Sequence, residues 1–189
     1  MKKIAIFASG NGTNAENICN YFINNKNVDI VLLATNKQTA FVVERIKKFN
    51  IPVFSFSKED LNNTMIVQKK LLECSVDLIV LSGFLLKVPE NIVSLFPDKI
   101  INIHPSLLPK FGGRGMYGKN VCRSVVNAKE VQSGITIHYV NNNYDEGNII
   151  FQKKITLSKN ETLESLLEKI KVLEMRFFPV IIERVIKSL

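Results

Sequence analysis

Short apolar runs alternate with amphipathic stretches through roughly the first hundred residues, and this alternation constrains the fold more than any other feature. The apolar runs predict five strands, at residues 3–8, 29–34, 52–56, 77–81 and 100–104. The stretches between the first four strands predict three helices, at residues 13–24, 39–49 and 58–73. Most of these strands are continuously apolar, which is typical of a parallel sheet covered on both faces. Because strand–helix–strand crossovers are right-handed, we expect an α/β fold with a doubly wound sheet.

The second half of the sequence departs from this alternation. A glycine-rich loop, a helix and two strands follow, at residues 110–118, 120–128, 134–140 and 148–155. We expect the last two strands to pair antiparallel at an edge of the otherwise mostly parallel sheet. Residues 162–188 predict a long amphipathic helix that Thr162 caps and Pro179 interrupts or kinks. No linker, repeat or low-complexity segment divides the sequence, so we expect a single domain over residues 1–189.

The formal net charge of +8 raises the question of a nucleic-acid partner. The lysine pairs stand far apart, however, and no basic run with interleaved aromatic residues is present. Such dispersed charge favours the attraction of small anionic molecules over binding to nucleic acid. No apolar run is long enough for a membrane span, so we expect no membrane association either.

Three cysteines, Cys19, Cys74 and Cys122, stand far apart and without the CxxC spacing of a zinc site. An odd number of isolated cysteines indicates reduced thiols rather than a disulfide framework. The short apolar run after Met1 leads at once into a glycine-rich turn, which predicts a buried strand and not a signal peptide. We therefore expect a cytoplasmic protein without a metal site.

Asn102 and His104 end the last of the five apolar strands, with one residue between them. In a strand, alternate side chains share a face, so these two point the same way, away from Ile101 and Ile103. Pro105 has no N–H for the sheet ladder and ends the strand. An amide donor and a titratable imidazole then lie at the carboxyl end of the sheet, where ligands bind in open α/β folds. The structural alternative is a capped strand with a solvent-facing histidine.

The turn after the first strand has the sequence Gly10-Asn11-Gly12-Thr13-Asn14 and opens the first helix. Glycines there let backbone N–H groups approach an anion, and the helix N-terminus adds partial positive charge. The spacing matches a dinucleotide-binding fingerprint, but the second strand ends without the acidic residue that would hold a ribose. We therefore expect a phosphate monoester here, and a side chain at Gly12 would occupy the place of that anion. The alternative is an ordinary tight turn.

The run from Asn102 to Pro109, Asn-Ile-His-Pro-Ser-Leu-Leu-Pro, resembles the signature of the folate-dependent formyltransferases. These enzymes move a formyl group from 10-formyltetrahydrofolate to an amine. The resemblance extends over nearly the whole chain and is strongest at residues 9–14, 83–89, 102–109 and 134–152. It implies a formyltransferase fold related to the Rossmann fold, with 10-formyltetrahydrofolate as co-substrate and no metal.

The resemblance implies a catalytic group formed by Asn102, His104 and Asp145. Asn102 and protonated His104 would donate hydrogen bonds to the oxyanion that forms when the amine attacks the formyl carbon. Asp145 would raise the pKa of His104, because a nearby carboxylate stabilises the imidazolium ion. Without the resemblance, Asp145 is an ordinary turn residue. His138, the second histidine, is expected to have at most a supporting role.

The turn residues Gly12, Thr13 and Asn14 match the positions by which one branch of this family grips the phosphate of phosphoribosylglycinamide. Glu174 matches a glutamate near the ribose of that substrate, and a solvated helix residue is the alternative. The resemblance therefore implies that the acceptor is the amine of phosphoribosylglycinamide. The reaction would belong to de novo purine (IMP) biosynthesis and would use a one-carbon unit carried by folate. We expect a monomer or weak homodimer that acts on small molecules.

The folate would be held by an apolar wall, for which ordinary core packing is the alternative, and by a loop that closes over it. The matching residues are Leu85, Leu86, Lys87, Val88, Asn102, Asn141, Asn142, Asn143 and Tyr144. Three segments depart from the usual sequence of the family. They are the glycine-rich loop 111–118 with Arg114, residues 175–177, and Lys58, the nearest counterpart of a basic residue in some members.

Two other functions fit parts of the sequence. One is a different folate enzyme, which formylates initiator methionyl-tRNA or hydrolyses 10-formyltetrahydrofolate, although those relatives normally carry an additional domain. The more distant alternative is a non-catalytic nucleotide- or RNA-binding module on the same sheet. The joint presence of Asn102, His104 and Asp145 argues against such a module.

Overall fold

The computed structural model describes residues 1–189, and all of its strands belong to one seven-stranded sheet. The strands are β1 (Lys2–Phe7), β2 (Val28–Thr35), β3 (Val53–Ser55), β4 (Leu78–Leu81), β5 (Ile100–His104), β6 (Gln132–Tyr139) and β7 (Ile149–Thr156). The helices are α1 (Thr13–Phe22), α2 (Phe41–Ile46), α3 (Lys58–Asn63), α4 (Ile66–Glu73), α5 (Glu90–Leu95), α6 (Lys119–Asn127) and α7 (Leu163–Lys187). A short 3₁₀ turn, Lys47–Phe49, extends α2.

The strands lie in the order β3-β2-β1-β4-β5-β6-β7. Strands β1 to β5 are parallel, whereas β6 and β7 run antiparallel to their neighbours and form one edge of the sheet. The prediction of a mostly parallel, doubly wound sheet with an antiparallel edge is therefore confirmed. No helix in the chain is both long enough and apolar enough to span a bilayer.

Two apolar layers cover the sheet, because the central strands carry apolar residues on both faces. On β1, Ile4 and Ile6 face one layer, whereas Ala5 and Phe7 face the other. Helices α1, α2, α6 and α7 contribute to the first layer, and α3, α4 and α5 contribute to the second. Both faces of β1 are thus buried from solvent, which explains the continuous apolar run in this part of the sequence.

The direction of winding reverses at β1. The chain passes from β1 to β2 and β3 on one side, then returns to place β4 on the other side. Such a reversal opens a crevice at the carboxyl ends of the strands. The buried Ser9, just past β1, joins the surrounding loops, since its hydroxyl donates to Asn36 Oδ1 (2.6 Å) and accepts from the Leu85 N–H (3.0 Å). One hydroxyl therefore links the segments that follow β1, β2 and β4.

The region predicted as one helix at residues 58–73 forms two helices, so the predicted continuity is wrong. Thr64 is extended (φ −127°, ψ 170°) between α3 and α4. Its hydroxyl donates to the Asp60 carbonyl (2.8 Å) and accepts from the Ile66 N–H (3.2 Å), which satisfies backbone groups at both helix ends. A threonine side chain can compete with the backbone hydrogen bonds of a helix in this way, and here Thr64 ends α3.

Helix α7 continues through Pro179, so of the two predicted effects of this proline, an interruption or a kink, the interruption does not occur. Proline lacks the N–H that would bond to the carbonyl four residues earlier, which here belongs to Met175. The Asn17 side chain of α1 donates to that carbonyl instead (2.7 Å), so the helix leaves no orphaned acceptor at this point. The Thr162 hydroxyl accepts from the Ser165 N–H (3.2 Å) and caps the helix as predicted.

Candidate active site

A cleft of about 530 Å³ lies at the carboxyl ends of β4 and β5, next to the start of α1. Its walls come from segments far apart in the sequence, including Asn14 on α1, His104 on β5, His138 on β6 and Glu174 on α7. The segments that follow β4, β5 and β6 complete the lining. This position is the crevice that the reversal of winding at β1 creates.

The Asn102 amide faces the cleft from β5, while Ile101 and Ile103 on either side belong to the apolar core. Strand β5 pairs antiparallel with β6, and this register sets His138 directly opposite Asn102. The amide nitrogen of Asn102 lies 3.2 Å from His138 Nε2. The pairing of two strands distant in sequence thus brings the second histidine into direct contact with a predicted catalytic residue.

The hydrogen bonds of His138 define both its tautomer and the orientation of the Asn102 amide. His138 Nδ1 lies 2.8 Å from the Tyr139 carbonyl, which can only accept, so Nδ1 carries the proton. In the neutral ring Nε2 is then an acceptor, and its partner must be the NH₂ end of the Asn102 amide. The second N–H of that amide is left for a ligand in the cleft.

His104 is 3% exposed, and its two ring nitrogens have different partners. Nε2 lies 2.8 Å from the Phe111 carbonyl and donates to it, while Nδ1 lies 3.6 Å from Asp145 Oδ2. Burial lowers the pKa of His104, and the Asp145 carboxylate and the Phe111 carbonyl offset this effect only in part. The prediction of a raised pKa for His104 is therefore wrong, because the loss of water outweighs the nearby carboxylate.

Asp145 lies between the two imidazoles, 3.6 Å from His104 Nδ1 and 3.7 Å from His138 Nε2. Its Oδ2 atom accepts the Gly113 N–H (2.9 Å), which ties the glycine-rich loop to the carboxylate. Burial lowers the pKa of His138 as well, so both rings favour the neutral form near neutral pH. The structure thus brings together the three residues of the predicted catalytic group, Asn102, His104 and Asp145.

The turn 105–109 that follows His104 is held by a buried hydroxyl of β6. Thr136 Oγ1 donates to the Ser106 carbonyl (2.7 Å) and accepts the Leu108 N–H (3.0 Å). Gln152 on β7 donates to the Leu108 carbonyl (3.0 Å) from the next strand. The end of β5 that carries His104 is therefore anchored to both antiparallel strands.

The turn at residues 10–14 leaves a cluster of backbone N–H groups without partners in the protein. The carbonyls of Gly10, Asn11 and Gly12 all accept hydrogen bonds. In contrast, the N–H groups of Asn11, Gly12 and Thr13 donate to no protein atom. They stand at the N-terminus of α1, where the aligned peptide dipoles add partial positive charge. This arrangement suits an anion such as a phosphate.

Gly12 has a left-handed conformation (φ 76°), which favours glycine. A Cβ atom at this position would lie 2.4 Å from Val42 Cγ2 and 2.7 Å from Val42 Cα. The expectation that a side chain at Gly12 would occupy the place of the anion is therefore wrong, because that side chain would point into α2.

Asn14 and Glu174 join the first and last helices beside this turn. The Asn14 amide donates to Glu174 Oε2 (2.8 Å), and both side chains line the cleft, whereas Gly12 and Thr13 do not. Burial raises the pKa of the Glu174 carboxyl to about 7, although the hydrogen bond from Asn14 opposes the shift. Glu174 is thus able to exchange a proton near neutral pH, close to the free N–H groups of the turn.

Two predicted folate-binding segments form another part of the lining. Their lining residues are Leu85, Leu86, Lys87, Val88, Asn141, Asn143 and Tyr144. The Lys87 ammonium lies 5.5 Å from the centre of the Tyr144 ring, a cation–π contact that joins the two segments. Asn142 is not among the lining residues, and its contact with the folate stays a prediction.

Some residues of the lining were not singled out by the sequence. Met116 and Tyr117 of the glycine-rich loop line the cleft beside Arg114, whereas Lys58 at the start of α3 does not. The sequence predicted at most a supporting role for His138 and gave no sign of its contact with Asn102, since the only signals for it were the scarcity of histidine and its place on a strand. No group of three or more His, Cys, Asp or Glu side chains is placed to hold a metal ion.

An amide donor, two imidazoles and a carboxylate therefore converge near a turn with free N–H groups, which suits group transfer to a phosphorylated acceptor. The chain belongs to the formyl transferase family, whose model matches residues 2–182. The resemblance to the folate-dependent formyltransferases, predicted from residues 102–109, is confirmed.

Individual relatives within this family carry a more specific name than the family itself. The chain is 37% identical over 191 residues to phosphoribosylglycinamide formyltransferase of Bacillus subtilis, covering 98% of this chain and 95% of that protein. It is 38% identical over 176 residues to the chloroplastic phosphoribosylglycinamide formyltransferase of Arabidopsis thaliana, covering 89% of this chain but only 60% of that protein. The crystal structure of phosphoribosylglycinamide formyltransferase from Bacillus halodurans matches with a TM-score of 0.87 at 35% identity, over 100% of this chain and 95% of that one.

Proposed function

We propose that this chain transfers the formyl group of 10-formyltetrahydrofolate to the amine of phosphoribosylglycinamide, in purine biosynthesis. The observation that carries this proposal is the convergence of Asn102, His104 and Asp145 in one cleft. The same cleft contains Glu174 near free backbone N–H groups, which suits a phosphorylated sugar. The names of the relatives from Bacillus subtilis and Arabidopsis thaliana support this acceptor.

In this mechanism, the neutral amine attacks the formyl carbon, so a new C–N bond forms and the carbonyl oxygen becomes an oxyanion. The free N–H of Asn102 and the imidazolium of His104 stabilise that oxygen. Because His104 Nε2 already donates to the Phe111 carbonyl, Nδ1 is the nitrogen that gains the proton. Removal of one such oxyanion donor typically lowers the rate by roughly 10²–10³-fold. The intermediate collapses when the bond to the folate nitrogen breaks.

One proton must leave the attacking amine and one must reach the departing folate nitrogen. The lowered pKa of His104 makes its ring neutral before the reaction, so it is ready to accept the proton that the amine loses. Asp145, with Oδ2 at 3.6 Å from Nδ1, accepts this proton and passes it to His104. The developing oxyanion adds negative charge, which favours the imidazolium ion. His104 then delivers the proton to the folate nitrogen.

The substrates are bound by the two sides of the cleft. The acceptor phosphate binds the backbone N–H groups of Gly12, Thr13 and Asn14 at the start of α1. Glu174 accepts hydrogen bonds from the ribose hydroxyls. The pterin ring binds against the apolar segment 85–88, and the loop 141–144 covers it.

We further propose that residues 1–189 act as one catalytic domain, as a monomer or weak homodimer in the cytoplasm. The three free cysteines support a reducing compartment. We propose that the reaction needs no metal and that the partners are small molecules, with neither nucleic acid nor a membrane involved. The dispersed distribution of the +8 net charge supports small anionic ligands.

An absorbance assay of folate product formation tests the proposed reaction. The purified chain is mixed with 10-formyltetrahydrofolate alone, with added phosphoribosylglycinamide, or with added methionyl-tRNA. We expect product only with phosphoribosylglycinamide. Product in every mixture would identify a hydrolase, and product only with the tRNA would identify the other transferase.

Substitutions inside and outside the cleft test whether the proposed residues carry that activity. His104→Ala and Asn102→Ala should each lose most of kcat, whereas Lys58→Ala, outside the cleft, should retain it. Undiminished turnover in both cleft variants would contradict the proposed site, even if the wild-type protein is active.

A further inference from the structure

Helix α2 packs directly on the turn 10–14 and binds two of its carbonyls. The Val42 N–H donates to the Gly10 carbonyl (3.1 Å), and Arg45 Nε donates to the Asn11 carbonyl (2.8 Å). In a planar trans peptide, the C=O of one residue and the N–H of the next point in opposite directions. Each carbonyl that α2 holds therefore turns the following N–H, on Asn11 and on Gly12, away from α2.

The Arg45 guanidinium is itself fixed in place. It lies 4.9 Å from the centre of the Phe41 ring, and its terminal nitrogens contact the Glu16 carboxylate and the Asn11 side chain. Glu16 pairs with both Arg45 and Lys48, so the Arg45 guanidinium already has an anionic partner within the protein, although the three side chains together keep a net charge of +1. Arg45 does not line the cleft. Its contacts thus fit a support for the turn better than a direct ligand of an anion.

We propose that Arg45 is a positioning residue for the acceptor phosphate, which orients the Asn11–Gly12 peptide so that the Gly12 N–H faces the phosphate. This inference rests on the proposed function, because it assumes that the turn binds the acceptor phosphate. Arg45 acts through the backbone, so its effect falls on acceptor binding and leaves the chemical step and folate binding unchanged.

Arg45→Met tests this role, because methionine keeps an unbranched side chain but loses every donor to the turn. Loss of a hydrogen bond of this type should raise the KM for phosphoribosylglycinamide by about tenfold or more. The kcat and the KM for 10-formyltetrahydrofolate should stay within about twofold of wild type. Arg45→Lys, which restores one donor, should recover part of the affinity.

Lys48→Ala is the matched control, because Lys48 also pairs with Glu16 and also carries one positive charge, but it does not touch the turn. An equal rise in KM for Lys48→Ala and Arg45→Met would overturn the inference in favour of a general charge effect. A phosphate-free analogue of the acceptor supplies a second control. Its KM should be the same for wild type and Arg45→Met, and a tenfold difference there would also overturn the inference.

Backbone amide NMR of the wild-type protein with inorganic phosphate tests the geometry without any variant. We expect phosphate to shift the Gly12 amide resonance strongly in the wild type and weakly in Arg45→Met. No shift at Gly12 in the wild type would overturn the inference even if Arg45→Met does not fold. Failure of the proposed function is distinct, since the wild-type chain would then show no transfer to phosphoribosylglycinamide at all.

Discussion

Gly12→Ala adds a single methyl group at the point where the turn 10–14 meets α2. The turn holds this residue at φ 76°, and the new Cβ atom would lie 2.5 Å from Val42 Cβ and 2.7 Å from Val42 Cα. Because Val42 Cα is part of the backbone, no change of side-chain rotamer relieves that contact. We therefore expect the turn or α2 to move, and the free N–H groups of the turn to move with it.

Two costs contribute to the loss of stability. An L-residue in the left-handed region costs roughly 1–2 kcal/mol, and overpacking a tight site typically costs about 1–3 kcal/mol. Their sum, about 2–5 kcal/mol, is a large part of the roughly 5–15 kcal/mol free energy of unfolding of a domain. For a chain of this size it corresponds to a fall in melting temperature of about 5–20 °C. The KM for the acceptor should rise as well.

Thermal and urea unfolding followed by circular dichroism measure this effect, with Gly10→Ala as the matched control. Gly10 is in the same turn, but a Cβ atom there has nothing within 4 Å. We expect Gly10→Ala to change the free energy of unfolding by less than about 0.5 kcal/mol. Adding Val42→Ala to Gly12→Ala removes only Cγ1 and Cγ2 and leaves the contacts with Val42 Cβ and Cα, so stability should not return to the wild-type value. Equal stability of the two single variants would refute this reasoning.

Three further outcomes are expected. His138→Phe removes the acceptor that orients the Asn102 amide, so steady-state kinetics should show kcat lowered by roughly 10²-fold; an unchanged kcat would contradict that role. Asp145→Asn removes the carboxylate that partly offsets the effect of burial on the pKa of His104. Because His104 must be neutral to accept the proton, the acidic limb of the kcat/KM profile should move to lower pH, and an unmoved limb would exclude the coupling. The pKa of Glu174 is raised to about 7, so ionisation across that pH should strengthen acceptor binding in calorimetry. Glu174→Gln should remove that part of the pH dependence, and an identical slope in both proteins would count against it.

The sequence predicted the sheet and its ligand-binding end well, because these depend on local patterns. The five apolar runs correspond to β1–β5, and the alternation at residues 101–104 put Asn102 and His104 on one face. The turn 10–14 was located for the same reason, since glycine spacing at a strand–helix junction is a local signal. Family resemblance then supplied Asp145 and Glu174, whose roles no local pattern indicates.

The remaining features depend on contacts between distant segments. His138 enters the site only because β6 pairs with β5 in one register, and a shift of one residue would turn its side chain to the other face. The pKa of His104 depends mainly on how far the folded chain buries its ring. The sequence indicated a carboxylate partner, Asp145, but it could not indicate the extent of that burial. The break at Thr64 was missed, and the sequence left open whether Pro179 interrupts or kinks α7, because side-chain hydrogen bonds, not propensities, decide both.

The joint between α1 and α7 also determines when the site becomes complete during protein synthesis. Asn14 meets Glu174 and Asn17 meets Met175 across separations of 160 and 158 residues. A nascent chain on the ribosome therefore contains the turn 10–14 and all three predicted catalytic residues before it contains Glu174, the residue proposed to bind the acceptor ribose. Contacts between segments so far apart in the sequence carry the entropic cost of closing a long loop. Under the proposed function, acceptor binding consequently requires that the C-terminal helix has been made and has docked, and chains released early would retain the predicted catalytic residues without a complete acceptor site.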